Sequence, residues 1–247
     1  MLSAVAHQTG VVLGQWPVDE HTNEIGMMKP LLLDLVLAGR VVTTDALLTQ
    51  KEIVDTIVDQ GGDYVLPVKE NQPKTCEAIA DWFAYPAPYE YPNQCAETVE
   101  KGHGRLVTRR IETTTLLNDY LDWAGLAQCF KLSRRTIHLA TGEVRTETVY
   151  GITSLAPDQA SPQALLTFVR QHWTIENKLH WVKDVIFDED RCQLRVGRKH
   201  HLMALVRNTV LSLLRLDGRQ HIASTLRSFA AQPHSALALV FHPPGER

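Results

Sequence analysis

The 247-residue chain is 44% hydrophobic and 21% charged with a formal net charge of −3, the composition of an ordinary globular protein long enough for one large domain. No apolar run reaches the roughly 18 residues of a membrane span, and no basic segment followed by an apolar one opens the chain as a signal peptide would. Cys76, Cys95, Cys129 and Cys192 lie far apart without metal-ligand spacing, nothing in their pattern points to a disulfide framework, and reduced thiols in a cytoplasmic protein are the expectation.

The net charge hides an asymmetry. Residues 1–98 hold 5 Lys+Arg against 14 Asp+Glu, whereas residues 191–227 hold 8 against 1. A split of this kind predicts one anion-binding face beside an acidic half.

Taken in order, residues 3–7 and 10–15 read as two short strands joined by a turn at Gln8-Thr9-Gly10. Asn23 is the expected N-cap of an apolar helix over 24–38, in which Pro30 marks a kink or the true first turn and Gly39 the end. Residues 40–46 read as a short buried strand ending on Asp45. A charge at the end of an apolar strand sits at the rim of a sheet, where sites in α/β folds gather. Thr49 is placed to cap a helix over 50–60 whose Ile53, Ile57 and Val58 face the sheet, closed by Gly61-Gly62. Residues 64–68 form the next strand, and the alternation predicts parallel pairing with the strand before it. Lys69-Glu70-Asn71-Gln72 then leaves that strand on the Asp45 side, before a helix over 73–83.

A proline- and tyrosine-rich linker at 85–92 marks the boundary of an insertion. Beyond it the pattern changes to period two, and 97–100, 106–115, 128–139 and 144–154 read as antiparallel strands with a hairpin turn at 140–143. Arg109-Arg110 and Arg134-Arg135 read as solvated strand surface. For His103 and Arg105 a phosphate contact is expected, because Gly104 permits close backbone approach.

Ser161 and Pro162 begin a long helix running through His172-Trp173-Thr174-Ile175-Glu176-Asn177-Lys178-Leu179-His180-Trp181-Val182-Lys183. Glu176, His180, Lys183 and Asp184 fall at i, i+4, i+7 and i+8 and share one face, while Trp173, Leu179, Val182 and Ile186 point elsewhere. An intrahelical ion-pair row explains this spacing as well as a site does. With Asp45, however, Glu176 forms a pair of carboxylates able to hold a divalent cation, and magnesium prefers one or two carboxylates plus water and phosphate oxygens. Asp188, Glu189 and Asp190 read as a solvated turn. Arg191, Arg195, Arg198 and Lys199 lead into a helix over 200–216 whose apolar face is Leu202, Leu205, Val206, Val210, Leu213 and Leu214, and the tail 232–247 is expected to be poorly ordered. There is no glycine-rich phosphate loop, nucleophile elbow or zinc-finger spacing.

Four stretches carry a resemblance: Val42-Thr43-Thr44-Asp45-Ala46 with Gln50-Lys51, the run from Tyr64 to Gln72, Lys101-Gly102-His103-Gly104-Arg105, and His172-Trp173 through Glu176-Asn177, Leu179-His180-Trp181 and Asp184-Val185. In this order they are similar to the bacterial insertion-sequence transposases of the DDE class, H-repeat-associated branch, over about residues 3–216. The resemblance implies an α/β fold with an RNase H-like core, its mixed sheet flanked by helices and interrupted by a β-rich insertion. It implies two magnesium ions, replaceable by manganese, and a carboxylate triad in which Asp45 is the second member and Glu176 the third. The corresponding layout is residues 1–84 as the first part of the core, 85–158 as the insertion, 159–231 as the helical second part and 232–247 as a tail.

The implied chemistry is cleavage and strand transfer of double-stranded DNA, with a homodimer on DNA, in the bacterial cytoplasm beside the nucleoid. Phosphate contacts are then expected from Lys69, Asn71, Gln72, Arg170, His172, His180 and Lys183 as well as the basic run after Arg191. Where related families carry a Tyr-Arg-Glu-Lys signature, this chain has Val169, His172, Glu176 and Lys183. The family's first aspartate, in an Asp-Gly-Lys block, has no counterpart here, and the chain reads as the C-terminal portion of a transposase lacking the first strand and inactive alone. Two other readings stand beside this one. A DNA-binding remnant would shift DNA without nicking it, and an RNase H-like structure-specific nuclease would prefer branched DNA.

Overall fold

A computed structural model describes residues 1–18, 23–85, 94–193 and 199–242. The chain divides into two compact units, one of residues 36–170 and one of residues 1–35 with 171–247.

The 36–170 unit is built on a six-stranded mixed sheet. In chain order its elements are β3 (Val41–Thr43), α2 (Lys51–Asp59), β4 (Asp63–Val68), α3 (Pro73–Ala84), β5 (Gln94–Gly102), β6 (Arg105–Thr114), β7 (Gln128–His138), β8 (Val144–Thr153) and most of α4 (Pro162–His172). The strand order is β3-β4-β8-β7-β6-β5. The β3–β4 pair is parallel, as the helical crossover predicts, and every other pair is antiparallel. The α/β architecture with a mixed sheet and flanking helices is therefore as expected.

Strand β4 is covered on both faces, since Tyr64, Val65 and Leu66 are all at most 2% exposed. Val65, Ile111, Phe130 and Leu132 form one core with Leu165 and Leu166 of α4. Phe83 of α3 lies under the Lys131 ammonium at 5.9 Å. Side chains alternate along β7, so Lys131 and Phe130 face opposite ways and α3 and α4 cover opposite sides of the sheet.

Several local expectations change. Strand β3 is a half-buried edge strand that ends at Thr43, two residues before Asp45. Thr49 does not cap α2. Its hydroxyl donates instead to the Pro67 carbonyl at 2.7 Å. The Gly61-Gly62 stop forms as expected, with Gly61 at φ +70° and the Gly62 N–H donating to the Ile57 carbonyl at 3.0 Å. Ser161 starts α4, its hydroxyl accepting from the Ala164 N–H at 3.4 Å.

The other unit holds β1 (Leu2–Val5), β2 (Val12–Trp16), α1 (Glu24–Leu33), α5 (Lys199–Leu216), α6 (Ile222–Ala231) and α7 (Pro233–Phe241). Strands β1 and β2 pair as an antiparallel two-stranded sheet of their own. Asn23 caps α1, accepting from the Gly26 N–H at 2.8 Å. The helix stops at Leu33, five residues earlier than predicted, within a turn of Pro30, which has no N–H to donate. Asp34 then accepts from the Trp16 indole at 2.8 Å.

The buried face of α5 is Ala204, Asn208, Leu211 and Leu214. Leu202, Leu205 and Val206, predicted to face the core, are 45–59% exposed. Polar partners turn the helix: Asn208 donates to the Gln15 side chain, and Ser212 accepts from the Val12 N–H at 3.0 Å. The tail is not loose up to Phe241. Pro233 begins α7, where a missing N–H costs nothing, and Leu239 joins the core of Leu179, Val182, Leu211, Leu214 and Ile222.

Gly151 of β8 is fixed by its neighbours. A Cβ there would lie 2.1 Å from the Phe130 ring and 2.6 Å from the Leu66 carbonyl oxygen. Gly151→Ala is expected to destabilise the protein by about 3 kcal/mol or more, read as a lowered urea midpoint, because the carbonyl belongs to a central strand and cannot yield.

Candidate catalytic carboxylates

Asp45 opens a 3₁₀ turn, Ala46–Leu48, just beyond β3, and its side chain faces solvent. The turn closes through the Leu48 N–H to the Asp45 carbonyl at 3.2 Å and the Thr49 N–H to the Ala46 carbonyl at 3.0 Å. The Thr44 hydroxyl donates to the Asp45 carbonyl at 3.0 Å. The polar loop after β4 meets this turn, on the side expected. Asn71 donates through its side-chain amide to the carbonyls of Ala46 at 2.6 Å and Thr49 at 3.4 Å. Gln72 donates to the Thr49 carbonyl at 3.1 Å and to the Gln50 side chain at 3.2 Å. Lys69, on the same loop, is exposed.

Glu176 belongs to the other unit. The regular helix α4 ends at His172, and the chain resumes as two π-helical turns, Glu176–His180 and Val182–Ile186. Wide turns of this kind are rare and recur at functional sites. Leu179 and Val182 of these turns lie in the core, whereas Trp173 before them and Trp181 between them are 66% and 52% exposed. The expected polar row is broken up. His180 keeps its partner, its Nδ1 lying 3.2 Å from Glu176 Oε2. Lys183 does not line up with them: its side chain is 12% exposed and pairs with Glu189 at 3.0 Å. Glu189, read from sequence as part of a solvated turn, also takes Arg207 at 3.6 Å.

Three of the other predicted phosphate contacts, Arg170, His172 and Arg191, have protein partners. Arg170 pairs with Glu100 at 2.5 Å, and Arg109 pairs with the same carboxylate at 2.9 Å. Slight desolvation works against ionisation of Glu100, but the two guanidiniums outweigh it and hold the carboxyl below its ordinary range. Half-buried His172 lies edge-on to His7 with ring centres 6.5 Å apart. Burial first, then the charges of His172 and Lys178, lower the His7 pKa. His103 and Arg105 are exposed at the tip of the β5–β6 hairpin, where His103 at φ +50° and Gly104 at φ +70° supply the two left-handed residues that such a turn needs. That requirement accounts for the glycine without a ligand. Arg191 is exposed and 3.6 Å from Asp188, Lys199 is exposed, and Arg195 and Arg198 lie outside the described residues.

Two cations were not singled out by sequence. Lys178 donates to the carbonyls of His7 and Gln8 at 2.8 and 3.0 Å, and Arg215 donates to those of Gly10 and Lys178. They clamp the β1–β2 turn, and nothing in their spacing signals this, because their partners are backbone atoms far away in the chain. With Trp181, Arg219 and Arg227 they also line a cleft of about 770 Å³.

Among the described residues no three His, Cys, Asp or Glu side chains gather to hold a metal ion. Asp45 and Glu176 are each exposed carboxylates, the hard-oxygen donor type that a divalent cation such as magnesium takes.

The ion pairs make two predictions. Glu189→Gln strands two largely covered cations and is expected to cost about 1–3 kcal/mol in chemical denaturation at neutral pH. Glu100→Gln is expected to cost under about 1 kcal/mol at neutral pH, since the pair is half exposed. Because the folded-state pKa of Glu100 is depressed, this contribution is present above the ordinary glutamate value of about 4.3. It is lost as pH falls through the lowered folded value, so the wild-type and variant urea midpoints should converge only in stronger acid.

The transposase DDE domain family matches residues 1–213. The chain is 32% identical to the H repeat-associated putative transposase YhhI of Escherichia coli strain K12, over 88% of this chain and 58% of that protein. It is 33% identical to the putative transposase YncI of Escherichia coli O157:H7, over 87% and 56%, and 32% identical to the putative protein YbfL of strain K12, over 88% and 58%. The chain thus spans less than two thirds of the length of these relatives. A solved structure, that of Streptomyces venezuelae DesVI, aligns over 52% of this chain and 50% of its own at 15% identity with a TM-score of 0.23, too low to define the fold. By the family match over 1–213 and the relatives at 32–33% identity, the chain belongs to the DDE-domain transposases.

Proposed function

We propose that the chain supplies two carboxylates, Asp45 and Glu176, to an RNase H-like centre that cuts and joins DNA in the transposition of an insertion sequence. The observation that carries this reading is the Asp45 turn. An exposed carboxylate stands at the carboxyl end of a parallel strand pair, on backbone held by Thr49, Asn71 and Gln72, within a chain that matches the DDE domain. In this reading residues 85–158 are the β-rich insertion of the core, flanked by 1–84 and 159–231.

Asp45 and Glu176 would hold the divalent cation, magnesium or manganese in its place, which would supply Lewis-acid activation of the phosphodiester and of the attacking hydroxyl. His180 steadies the Glu176 carboxylate through the 3.2 Å contact. Lys69, His103, Arg105, Arg191 and Lys199 are the exposed groups assigned to phosphate contact, with Arg195 and Arg198 beside them in sequence. Arg170 and Lys183, held by Glu100 and Glu189, act in folding instead.

The test is manganese-dependent nicking of supercoiled DNA carrying candidate element ends. This chain is compared with a version extended upstream by the family's Asp-Gly-Lys block. Cutting is expected from the extended version, with Asp45→Ala and Glu176→Ala each lowering it about a thousandfold or more, at least ~4 kcal/mol of barrier. Activity that survives Asp45→Ala would place the chemistry elsewhere.

A further inference from the structure

We infer that Asn71 and Gln72 are positioning residues for Asp45 and make no contact with DNA phosphate. The inference rests on the reading of Asp45 as a metal ligand and adds to it the groups that hold that ligand in place.

A carboxamide has two N–H donors and one acceptor oxygen. Both donor directions of Asn71 are taken by the carbonyls of Ala46 and Thr49. Those of Gln72 are taken by the Thr49 carbonyl and the Gln50 side-chain oxygen. What either amide has left is an acceptor oxygen, and a phosphate oxygen offers it nothing to accept. Either residue could reach DNA as a donor only by releasing the turn.

All the main-chain groups they hold lie within four residues after Asp45. Thr49 is fully buried and anchors the far end of the same turn to Pro67 of β4. The loop 69–72 and strand β4 therefore set the backbone from which the Asp45 carboxylate projects. A short side chain with two torsions aims its oxygens only as well as its backbone is fixed, so the contacts act on metal binding through Asp45.

The experiment uses the full chain with Asn71→Ala, Gln72→Ala and the double variant. Hydrogen exchange of the segment 44–50 is followed by mass spectrometry. The manganese concentration for half-saturation is read by electron paramagnetic resonance, and affinity for a DNA duplex in metal-free buffer by fluorescence anisotropy. Exchange in 44–50 is expected to rise about tenfold, as loss of a hydrogen bond predicts, with half-saturation moving up severalfold and DNA affinity unchanged. Thermal unfolding that stays cooperative at the wild-type midpoint separates this from general destabilisation, and Gln72→Ala alone is the milder variant should the double one unfold.

Unchanged exchange with weakened DNA binding would make the two amides DNA contacts and overturn the inference. Faster exchange with unmoved half-saturation would overturn the positioning role. Asp45→Asn is the separate control. If it leaves manganese binding as it was, the metal-ligand reading of Asp45 fails, and the exchange data still judge the contacts themselves.

Discussion

The sheet depends on one position without a side chain. Strand β8 lies between β4 and β7, and it joins the parallel β3–β4 pair to the antiparallel strands β5 to β7. It can do so because the Phe130 ring and the Leu66 carbonyl occupy the space where a residue at 151 would carry its Cβ. The same strand end is tied in by Thr153, buried, which donates to the Tyr64 carbonyl at 2.7 Å. β8 pairs with β4 as far as Val68, at the carboxyl end of the parallel pair, and Asp45 follows β3 at that same end.

This rim of the sheet shows how polar side chains are taken up by main-chain carbonyls of a neighbouring turn. Buried or half-buried carbonyls need donors. The carbonyls of Ala46 and Thr49, which follow the acidic residue, receive theirs from a loop about 25 residues further along. That loop is in reach only because the β3–β4 crossover is parallel and brings both strand ends to the same edge. Asn71 and Gln72, which look like ligand-binding groups in the sequence, are thus hydrogen-bonded to the turn that follows Asp45.

The segment around Glu176 follows a different constraint. A regular helix would have set Glu176, His180, Lys183 and Asp184 in a row. The π-helical turns have more residues per turn, so the row loses its spacing: Glu176 and His180 remain together while Lys183 turns to Glu189. The basic stretch after Arg191 is likewise partly absorbed into the fold. Arg207 serves Glu189, Arg215 serves the β1–β2 turn, and Arg219 lies 2.9 Å from Asp217.

Much of the fold was legible in the sequence because it rests on short-range rules. Period-two alternation marked the four antiparallel strands, Asn23 and Ser161 marked helix starts, Gly61-Gly62 marked a helix end, and ordered blocks marked the family. What the sequence could not reveal was set by partners distant in the chain. The face that α5 buries was decided by Gln15 and the Val12 amide, the role of Thr49 by the Pro67 carbonyl, and the stability of the tail by the core that Leu239 joins. Residue type and spacing determine which groups can donate, accept or pair. Only the tertiary structure decides which of those offers is taken, because a hydrogen bond or ion pair forms with whatever partner packing brings within about 3–4 Å.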